Sequence, residues 1–532
     1  MPFDYNSYLN HLTPWFYAGM ALLFLSLVVF EFQKRKFIAL LLLVLANLLM
    51  SGVCSLMQPF LHMWDEQVHA LVAKNLMHHP LKPTLVDHPN IGYSYKQWVG
   101  NHVWLHKQPW FLWQIALAFK IFGINEFTLR IPSMLMFSGL LLLVYRMGII
   151  LKGKRTGFYA AVLMAGSRFL FRLVTGAEAT DHNDVAFVFY VTASLWAWLE
   201  FQNSRKDYWI YLVGLFSGIA ILNKWLPGLL VYSGWFITIV FSKEQRYNLK
   251  YYLEMLKSFG VTVLTAFPWQ LYILWRFPRE SRYEYSLNST HFFDIVENHK
   301  GDYLFYYDHF STLYGINFKY FFLGGLILFL LSKIKKQYKT AFLSWFVVVY
   351  GFYTVASTKM IAFPLIVSSI VYLVVGFEID AIVARLKKKW HLPGIVFPVI
   401  SVFLVSFVVL NSMDIDSLLL KNDKNLRQVY RKKISNTLVY KKIPSLLDKE
   451  NSYEFFNCGN LDHIKIMFYT GYNAHNSLPN KKQVDKLISK NIIPVVFDNG
   501  RLPEWILNNK NILKIRSSIW LKSYEGRPEV YR

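Results

Sequence analysis

Apolar residues along this chain fall in long runs separated by polar segments. A helix needs about 20 mostly apolar residues to cross the hydrocarbon core of a bilayer, and somewhat shorter runs qualify inside a bundle. The predicted spans are residues 14–30, 37–58, 130–151, 156–173, 184–201, 208–223, 226–241, 257–275, 318–332, 340–356, 361–378 and 393–411. The pattern predicts an all-α polytopic membrane bundle of about 12 transmembrane helices over residues 1–411.

Basic residues cluster in every second segment between these spans. The clusters lie at residues 33–36, 152–155, 203–206, 242–250, 333–339 and 384–391. Lys and Arg in short loops stay on the cytoplasmic side of a membrane, so the clusters agree on one topology. The segments predicted to be exoplasmic are then the N-terminus, 59–129, 174–183, 224–225, 276–317, 357–360 and everything after residue 411. Because the first residues lack a signal-peptide pattern, we expect the first span to be retained.

Two segments outside the spans have patterns of their own. Residues 109–123 (PWFLWQIALAFKIFG) are apolar but short, which indicates an interfacial helix within the exoplasmic loop 59–129. Residues 412–532 alternate polar stretches with short β-like and helix-like segments, such as IIPVVFD (492–498) and KKQVDKLISK (481–490). This region is therefore predicted to form a small soluble α/β domain on the exoplasmic side.

The composition agrees with a membrane protein and excludes other classes. Of the 532 residues, 54% are hydrophobic and only 17% are charged, which is too apolar for a soluble protein of this length. The net charge of +24 does not indicate nucleic-acid binding, because Lys and Arg lie in short clusters between apolar runs. Cys54 and Cys458 are the only cysteines, so neither a disulfide framework nor a cysteine metal site is predicted.

Ionisable residues collect at the predicted exoplasmic ends of the spans. An acid pair, Asp65 and Glu66, follows the second span within a few residues, where charge is costly unless it is solvated or used. The same side carries HKQP (106–109), EATDHND (178–184), NKWLP (223–227), ENHKGDYLFYYDH (297–309) and STK (357–359). Lysines at headgroup depth can neutralise a departing phosphate, and a carboxylate can deprotonate an attacking hydroxyl. These residue types therefore fit glycosyl transfer from a lipid-linked phosphosugar.

The order of these segments resembles the GT-C class of integral-membrane glycosyltransferases. The segments that carry the resemblance are WDEQVHALVAKNL, HKQPWFLWQIALAFKIFGINEFTLRIPS, TDHNDVAFVFY, NKWLPGLL and STKMIAFPLI, within residues 55–375. They are most similar to the branch of dolichyl-phosphate-mannose protein mannosyltransferases and bacterial aminoarabinose lipid A transferases. In that branch an Asp-Glu pair opens the first exoplasmic loop, a KPP-like segment and an FG…EF..R.PS motif follow, and a second Asp begins a later span.

The resemblance implies a GT-C fold, a polyprenyl-phosphate sugar donor and transfer with inversion. It further implies a lipid, glycan or protein acceptor and a site facing the exterior or periplasm, for a protein of the bacterial inner membrane.

The resemblance also implies roles for individual residues. Asp65 matches the catalytic acid, as general base or acceptor-orienting group, with Glu66 beside it and Asp184 as the second acid. Lys107 and Lys359 match phosphate ligands, although Gln108 stands where the KPP segment has its first proline. The remaining predicted substrate-binding residues are Lys224, His106, His299 and Tyr307. Each side chain also has a structural alternative, because acids cap helix starts and lysines extend their amines to the membrane interface. Asp181 is an alternative to Asp184.

The sequence also bears on metal binding and on two alternative functions. The predicted exoplasmic histidines, His102, His106, His291, His299 and His309, show no HExxH-like spacing, so no metal ligands are predicted. No cofactor is required if lysines carry the leaving-group charge, and a divalent cation stays an alternative. A transporter or flippase of a lipid-linked saccharide is disfavoured because no internal repeat is visible and the span centres carry few acids. An oligosaccharide polymerase or ligase with a diphosphate donor is a third function, which product analysis would separate.

Overall fold

Long apolar helices make up most of the fold. A computed structural model describes residues 4–178, 182–295, 298–390 and 393–532. The helices of the first part are α1 (Tyr5–Val28), α2 (Lys36–Leu56), α3 (Asp65–Leu76), α4 (Pro109–Phe122), α5 (Glu126–Leu151), α6 (Lys154–Ala165), α7 (Arg168–Val174), α8 (Asp184–Ser204), α9 (Tyr208–Lys224), α10 (Leu230–Phe241), α11 (Leu249–Arg276), α12 (Pro278–Phe293), α13 (Phe305–Asp308), α14 (Phe310–Tyr314), α15 (Phe318–Leu331), α16 (Lys336–Val355), α17 (Ser368–Lys389) and α18 (Val396–Met413). A π-helical turn (Val29–Gln33) extends α1, and 3₁₀ turns (Leu226–Leu229, Phe363–Val367) precede α10 and α17.

Each predicted span coincides with helical residues in the structure. By length and composition, 6 of the helices among the described residues can cross a membrane, or up to 8 if each of two bent pairs forms one span. The other predicted spans correspond to the shorter helices α9 and α10 and to α11 and α16, which carry lysines in their first turns. The predicted polytopic helical bundle is confirmed, and the number of about twelve spans stays a prediction.

Outward-facing apolar side chains cover the helical bundle. Leu264 is 76% exposed, and Phe403 is 65% exposed. Exposed apolar surface on this scale is unfavourable in water and is normal against lipid tails. The exposed faces therefore agree with a bundle that is embedded in a bilayer.

The basic ends of the helices lie together. Arg155, in the cluster 152–155, pairs at 2.9 Å with Glu31, which lies two residues before the cluster 33–36. Arg146 pairs with Glu200 at 2.5 Å and brings the end of α8 to the end of α5. One turn beyond Glu200, the cluster 203–206 pairs with α11 through Arg205. These contacts place several of the predicted cytoplasmic clusters at one end of the bundle, as a single topology requires.

The loop predicted over residues 276–317 contains more helix than the hydropathy pattern indicates. Helix α12 follows α11 almost directly, with Pro278 in its first turn, a position that proline favours. Its sequence, PRESRYEYSLNSTHFF, is too polar to be recognised as a buried or membrane-spanning helix. Further on, α14 and α15 meet at a bend of 101°. Gly315 sits at this bend with a φ of 108°, and a Cβ there would lie 2.4 Å from Ser412 Cα.

A small sheet forms the C-terminal part of the chain. Its strands are β1 (Ser452–Phe456), β2 (Asn473–Ala474), β3 (Ile492–Asp498), β4 (Leu513–Arg516) and β5 (Glu529–Tyr531), in the order β2-β1-β3-β4-β5. The first four strands pair in parallel, and β5 is antiparallel to β4. The helices of this part are α19 (Ile415–Leu418), α20 (Lys424–Lys442), α21 (Asp462–Thr470), α22 (Lys481–Ile488) and α23 (Glu504–Leu507), with a 3₁₀ turn at Ile443–Leu446. The predicted β-like and helix-like segments at 492–498 and 481–490 form β3 and α22.

The C-terminal part packs onto the first long loop and onto helix α3. Lys74, in the last turn of α3, donates to the carbonyl oxygen of Phe468 at 2.6 Å. His463 contacts the carbonyl oxygen of Val99 at 2.8 Å, and Tyr469 donates to Glu126 Oε1 at 2.7 Å. The sheet domain is therefore held against the helix that begins with Asp65.

Candidate active site

Helix α3 begins directly after a strained turn. Trp64 has a φ of 71° and a ψ of −128°, a backbone conformation that bulky residues rarely adopt. Trp225, which follows Lys224 at the end of α9, is similar, with a φ of 66° and a ψ of −156°. Such conformations cost about 1–3 kcal/mol each and persist only where the surrounding structure fixes them. Both strained tryptophans directly adjoin a predicted site residue.

Asp65 and Lys107 meet across the first loop. The loop folds back through an antiparallel bridge between Thr84 and Val103, and α4, which begins two residues after Lys107, packs against α3. Lys107 Nζ then lies 3.8 Å from Asp65 Oδ1, and the side chains are 19% and 21% exposed, respectively. The distance is longer than a hydrogen bond, so the two charges attract each other in a partly open position. This is the juxtaposition on which the sequence-based interpretation depends.

Glu66 lies in a different environment from its neighbour. Its side chain is 1% exposed and accepts from Arg130 Nε at 2.8 Å and from Arg130 Nη2 at 3.2 Å. The backbone N–H of His62 donates to the same carboxylate at 2.6 Å. Gly176 packs directly against it, since a Cβ at this position would lie 2.5 Å from Glu66 Cδ. A carboxylate enclosed in this way favours a structural role for Glu66 over the predicted catalytic one.

Arg130 is a residue that sequence reasoning did not single out. Its guanidinium group is fully buried and donates, besides Glu66, to the carbonyl oxygens of Ser55, Gln58 and Phe60. It therefore fixes the chain between the end of α2 and the start of α3. Arg130 is the arginine of the EF..R.PS motif. The motif alone does not indicate that this arginine pairs with an acid.

Asp184 and Lys224 form a second acid–lysine pair. Asp184 begins α8 and is nearly buried, and Lys224 ends α9 with its side chain 20% exposed. Lys224 Nζ contacts Asp184 Oδ1 directly and lies 5.6 Å from the centre of the Phe363 ring. Asp181, the alternative second acid, lies outside the described residues.

Two buried histidines lie close in sequence to the two acids and contact each other. His69 lies one helical turn after Asp65 on the same face of α3, and its ring centre is 5.8 Å from that of His182. His182 in turn lies two residues before Asp184. Both rings are almost completely buried. Neither histidine was singled out from the sequence, because a single histidine has no spacing pattern that would indicate its partner.

His106 and an aromatic wall border the Asp65–Lys107 pair. His106 Nδ1 lies 3.0 Å from Glu284 Oε2, a buried carboxylate of α12 that the sequence did not indicate. The His106 ring stacks on Trp98 at 5.4 Å, and Trp98 stacks on Trp64 at 6.3 Å. Glu284 was missed because its helix was predicted to be part of a loop.

Lys359 is held by backbone groups rather than by an acid. Its Nζ donates to the carbonyl oxygens of Thr354 and Ala356, at 2.8 Å and 2.6 Å, at the C-terminal end of α16. Its backbone N–H donates to the carbonyl oxygen of His299 at 2.9 Å. Positive side chains are favourable at the C-terminus of a helix. These contacts favour a structural role for Lys359 and place His299 beside it.

Tyr307 lies on the surface. It is 55% exposed, and Lys319 Nζ lies 4.6 Å from the centre of its ring. These contacts do not involve Asp65 or Lys107. The geometry thus brings together Asp65, Lys107 and His106, and separately Asp184 and Lys224.

Part of the chain matches a known family. The model of the dolichyl-phosphate-mannose-protein mannosyltransferase family matches residues 106–272, from His106 into α11. An uncharacterized protein of Aquifex aeolicus (strain VF5) is 25% identical over 272 residues, which cover 49% of this chain and 50% of that protein. The chain thus matches about half the length of this relative.

Solved structures share the fold over most of the chain. ArnT from Cupriavidus metallidurans, bound to undecaprenyl phosphate, aligns with a TM-score of 0.61 at 12% identity and covers 90% of this chain and 92% of its own. The archaeal oligosaccharyltransferase AglB from Archaeoglobus fulgidus, in complex with an inhibitory peptide and a dolichol-phosphate, aligns with a TM-score of 0.53 at 12% identity, over 92% of this chain and 72% of its own. The resemblance to the GT-C class is confirmed, and the fold is the GT-C fold.

Proposed function

We propose that this chain, with its GT-C fold, is a membrane glycosyltransferase that uses a polyprenyl-phosphate-linked sugar. The sugar goes to an acceptor hydroxyl or phosphate on the exoplasmic face, with inversion at the anomeric carbon. One observation carries the proposal: the Asp65 carboxylate and the Lys107 amine lie 3.8 Å apart in a partly exposed position. Undecaprenyl phosphate and dolichol-phosphate in the two structurally similar proteins support this donor class.

The proposed reaction is a single displacement. The acceptor oxygen attacks the anomeric carbon, the bond from that carbon to the phosphate oxygen breaks, and the polyprenyl phosphate leaves with the bonding electrons. Asp65 takes the proton of the attacking hydroxyl as general base. Lys107 neutralises the charge that develops on the departing phosphate. A base and a cation near the same reacting centre are what this step requires.

The other predicted residues have supporting roles in this proposal. Asp184 and Lys224 form the second pair, which we assign to acceptor binding, and His106 contacts the donor beside Lys107. Glu66 acts as a positioning residue, because its bonds to Arg130 and His62 fix the turn that precedes Asp65. Lys359 is assigned a structural role at the end of α16, with His299 beside it, and the exposed Tyr307 has no role in the proposed step.

No cofactor enters the proposed reaction, because Lys107 supplies the charge that a metal ion would otherwise provide. A divalent cation is the alternative, and a dependence of turnover on added Mg²⁺ or Mn²⁺ distinguishes the two. The proposed location is a bacterial inner membrane, with the site towards the periplasm and the sheet domain of residues 412–532 beside the acceptor entrance.

Turnover by the purified protein tests the proposal. The protein in detergent receives a polyprenyl-phosphate sugar labelled in the sugar, with a membrane lipid and glycan extract as acceptor. The expected result is labelled acceptor and free polyprenyl phosphate in equal amounts. Turnover without a second compartment excludes a pure transporter, and a strict requirement for a diphosphate donor would assign the protein to the polymerases or ligases. Asp65→Asn is the inactive control, and Asp207→Asn, an exposed acid at the basic end of the bundle, is its matched counterpart.

A further inference from the structure

Three metal-ligating side chains meet in the first loop, away from the Asp65–Lys107 pair. His79 follows the end of α3, and Asp87 and His88 lie in the segment that then turns towards the sheet domain. One ligand atom from each residue lies within 4.8 Å of the other two. Both histidines lie close to one carboxylate oxygen: His79 Nε2 is 3.8 Å and His88 Nε2 is 3.5 Å from Asp87 Oδ2.

These separations are too long for hydrogen bonds and suit a shared ion. A hydrogen bond between a ring nitrogen and a carboxylate would measure about 2.7–3.2 Å. Ligand atoms about 2.0–2.2 Å from a tetrahedral Zn²⁺ lie about 3.3–3.6 Å from one another. The two shorter separations are within a few tenths of an ångström of that range. An octahedral ion would bring neighbouring ligands closer, to about 3.0 Å.

A hydrogen bond to the other carboxylate oxygen orients the Asp87 side chain. Thr84 Oγ1 donates to Asp87 Oδ1 at 3.1 Å, which leaves Oδ2 turned towards the two histidines. Hydrogen bonds of this kind fix the orientation of metal-binding carboxylates. Thr84 itself is buried and belongs to the bridge with Val103 that folds the loop back.

We propose that His79, Asp87 and His88 bind one Zn²⁺ ion, with water in the fourth position. Two neutral imidazoles and one carboxylate are ligands that zinc commonly takes. The ion would join the end of α3 to the loop segment that precedes Lys107. It would also brace the sheet domain, because Asn473 Nδ2 donates to the carbonyl oxygen of His88 at 2.7 Å. This proposal does not depend on the proposed glycosyl transfer.

Zinc binding to the purified full-length protein tests this proposal. The protein is freed of metal with a chelator and titrated with Zn²⁺ in competition with a chromogenic chelator. We expect one equivalent to bind tightly, and Co²⁺ in its place to give the intense visible absorption of a tetrahedral site. His88 has a side chain that is 86% exposed, so His88→Ala removes a ligand with little risk to the fold. It should weaken binding by more than tenfold, and Thr84→Val by about tenfold.

Matched variants distinguish this site from adventitious binding. His78→Ala removes an exposed neighbouring histidine outside the cluster and should leave the affinity unchanged. Asp87→Asn should weaken binding as His88→Ala does. Absence of stoichiometric binding in the unaltered protein would overturn the proposal. So would equal affinity in the His88→Ala and Asp87→Asn variants, or an equal loss in His78→Ala. If zinc binds, it should also slow limited proteolysis within the loop that carries these three residues, a readout that is separate from transfer.

Discussion

Two adjacent acids at the start of α3 occupy contrasting environments. Asp65 is partly exposed and lies 3.8 Å from a partly exposed lysine, whereas Glu66 is buried and closed in by Arg130, His62 and Gly176. Successive residues of a helix point about 100° apart, so one turn can present one acid to a cavity and the next to the core. The comparison teaches that the two acids of an Asp-Glu motif can have different environments and therefore different roles. In the proposed reaction, Asp65 supplies the base, and Glu66 holds the backbone that presents it.

The largest expected effect is on activity and separates the two acids. Asp65→Asn keeps the size and hydrogen bonding of the side chain but removes the base, so kcat/KM should fall by about 10²–10⁴. The free energy of unfolding should change little, because the side chain is partly exposed and asparagine has nearly the same size. Transfer kinetics and denaturant unfolding in detergent measure both effects. Asp207→Asn, an acid exposed at the basic end, should leave both unchanged, and normal turnover in Asp65→Asn would contradict the catalytic assignment.

The next effect is on stability and belongs to Glu66. Glu66→Gln leaves the buried guanidinium of Arg130 without a charged partner, so it should lower the free energy of unfolding by about 3–5 kcal/mol. Removing both charges, in Glu66→Met with Arg130→Met, should cost less than the sum of the two single changes, because no uncompensated charge stays buried. A Glu66→Gln variant of normal stability that had lost transfer would reverse the contrast and make this acid part of the chemistry.

The lysines provide a third contrast. Lys107→Ala removes a charge beside Asp65 and should raise the KM for the donor by about tenfold to a hundredfold, the value of one hydrogen bond to a charged group. Lys359→Ala removes an amine that already donates to Thr354 and Ala356, so it should lower stability more than donor affinity. Kinetics with donor and acceptor varied separately measure these effects. A larger donor effect for Lys359 than for Lys107 would move the phosphate site to the end of α16.

Much of the fold followed from the sequence because its determinants are local. Apolar length and the position of basic clusters predict helices and their alternation, and the structure has helical residues at each predicted span. Helix α12 was missed because a polar surface helix has neither signal. The bend at Gly315 was also missed, since it depends on a close approach to Ser412, far along the chain.

The site was predictable only in part, for a related reason. The residue types and their order indicated Asp65 and Lys107 as candidates, but pairing is a property of the folded loop. Nothing local showed that Glu66 would face Arg130, that Glu284 would face His106, or that His69 would meet His182. The family motif included Arg130 but did not indicate that this arginine pairs with Glu66. Burial and partner identity are long-range facts, and they decide which of two neighbouring acids is available to a substrate.

The smallest expected effect extends the contrast to pH. Burial and the nearby Lys433 cation hold the pKa of His62, whose N–H donates to Glu66, well below its ordinary value. The folded protein therefore keeps His62 neutral at a pH where the unfolded chain takes up a proton. Stability from this residue is complete above about pH 6.5 and falls as the pH drops below that value, by at most about 1.4 kcal/mol per pH unit.

His62→Gln, which keeps a polar group facing Gln58, should reduce the loss of unfolding free energy between about pH 7.5 and about pH 5.5. Other buried histidines, such as His463, are present in both the unaltered protein and the His62→Gln variant. The difference between the pH profiles of these two proteins therefore isolates the contribution of His62. His78→Gln, at an exposed position, should keep the full slope. If His62→Gln keeps it as well, the acid sensitivity does not arise beside Glu66.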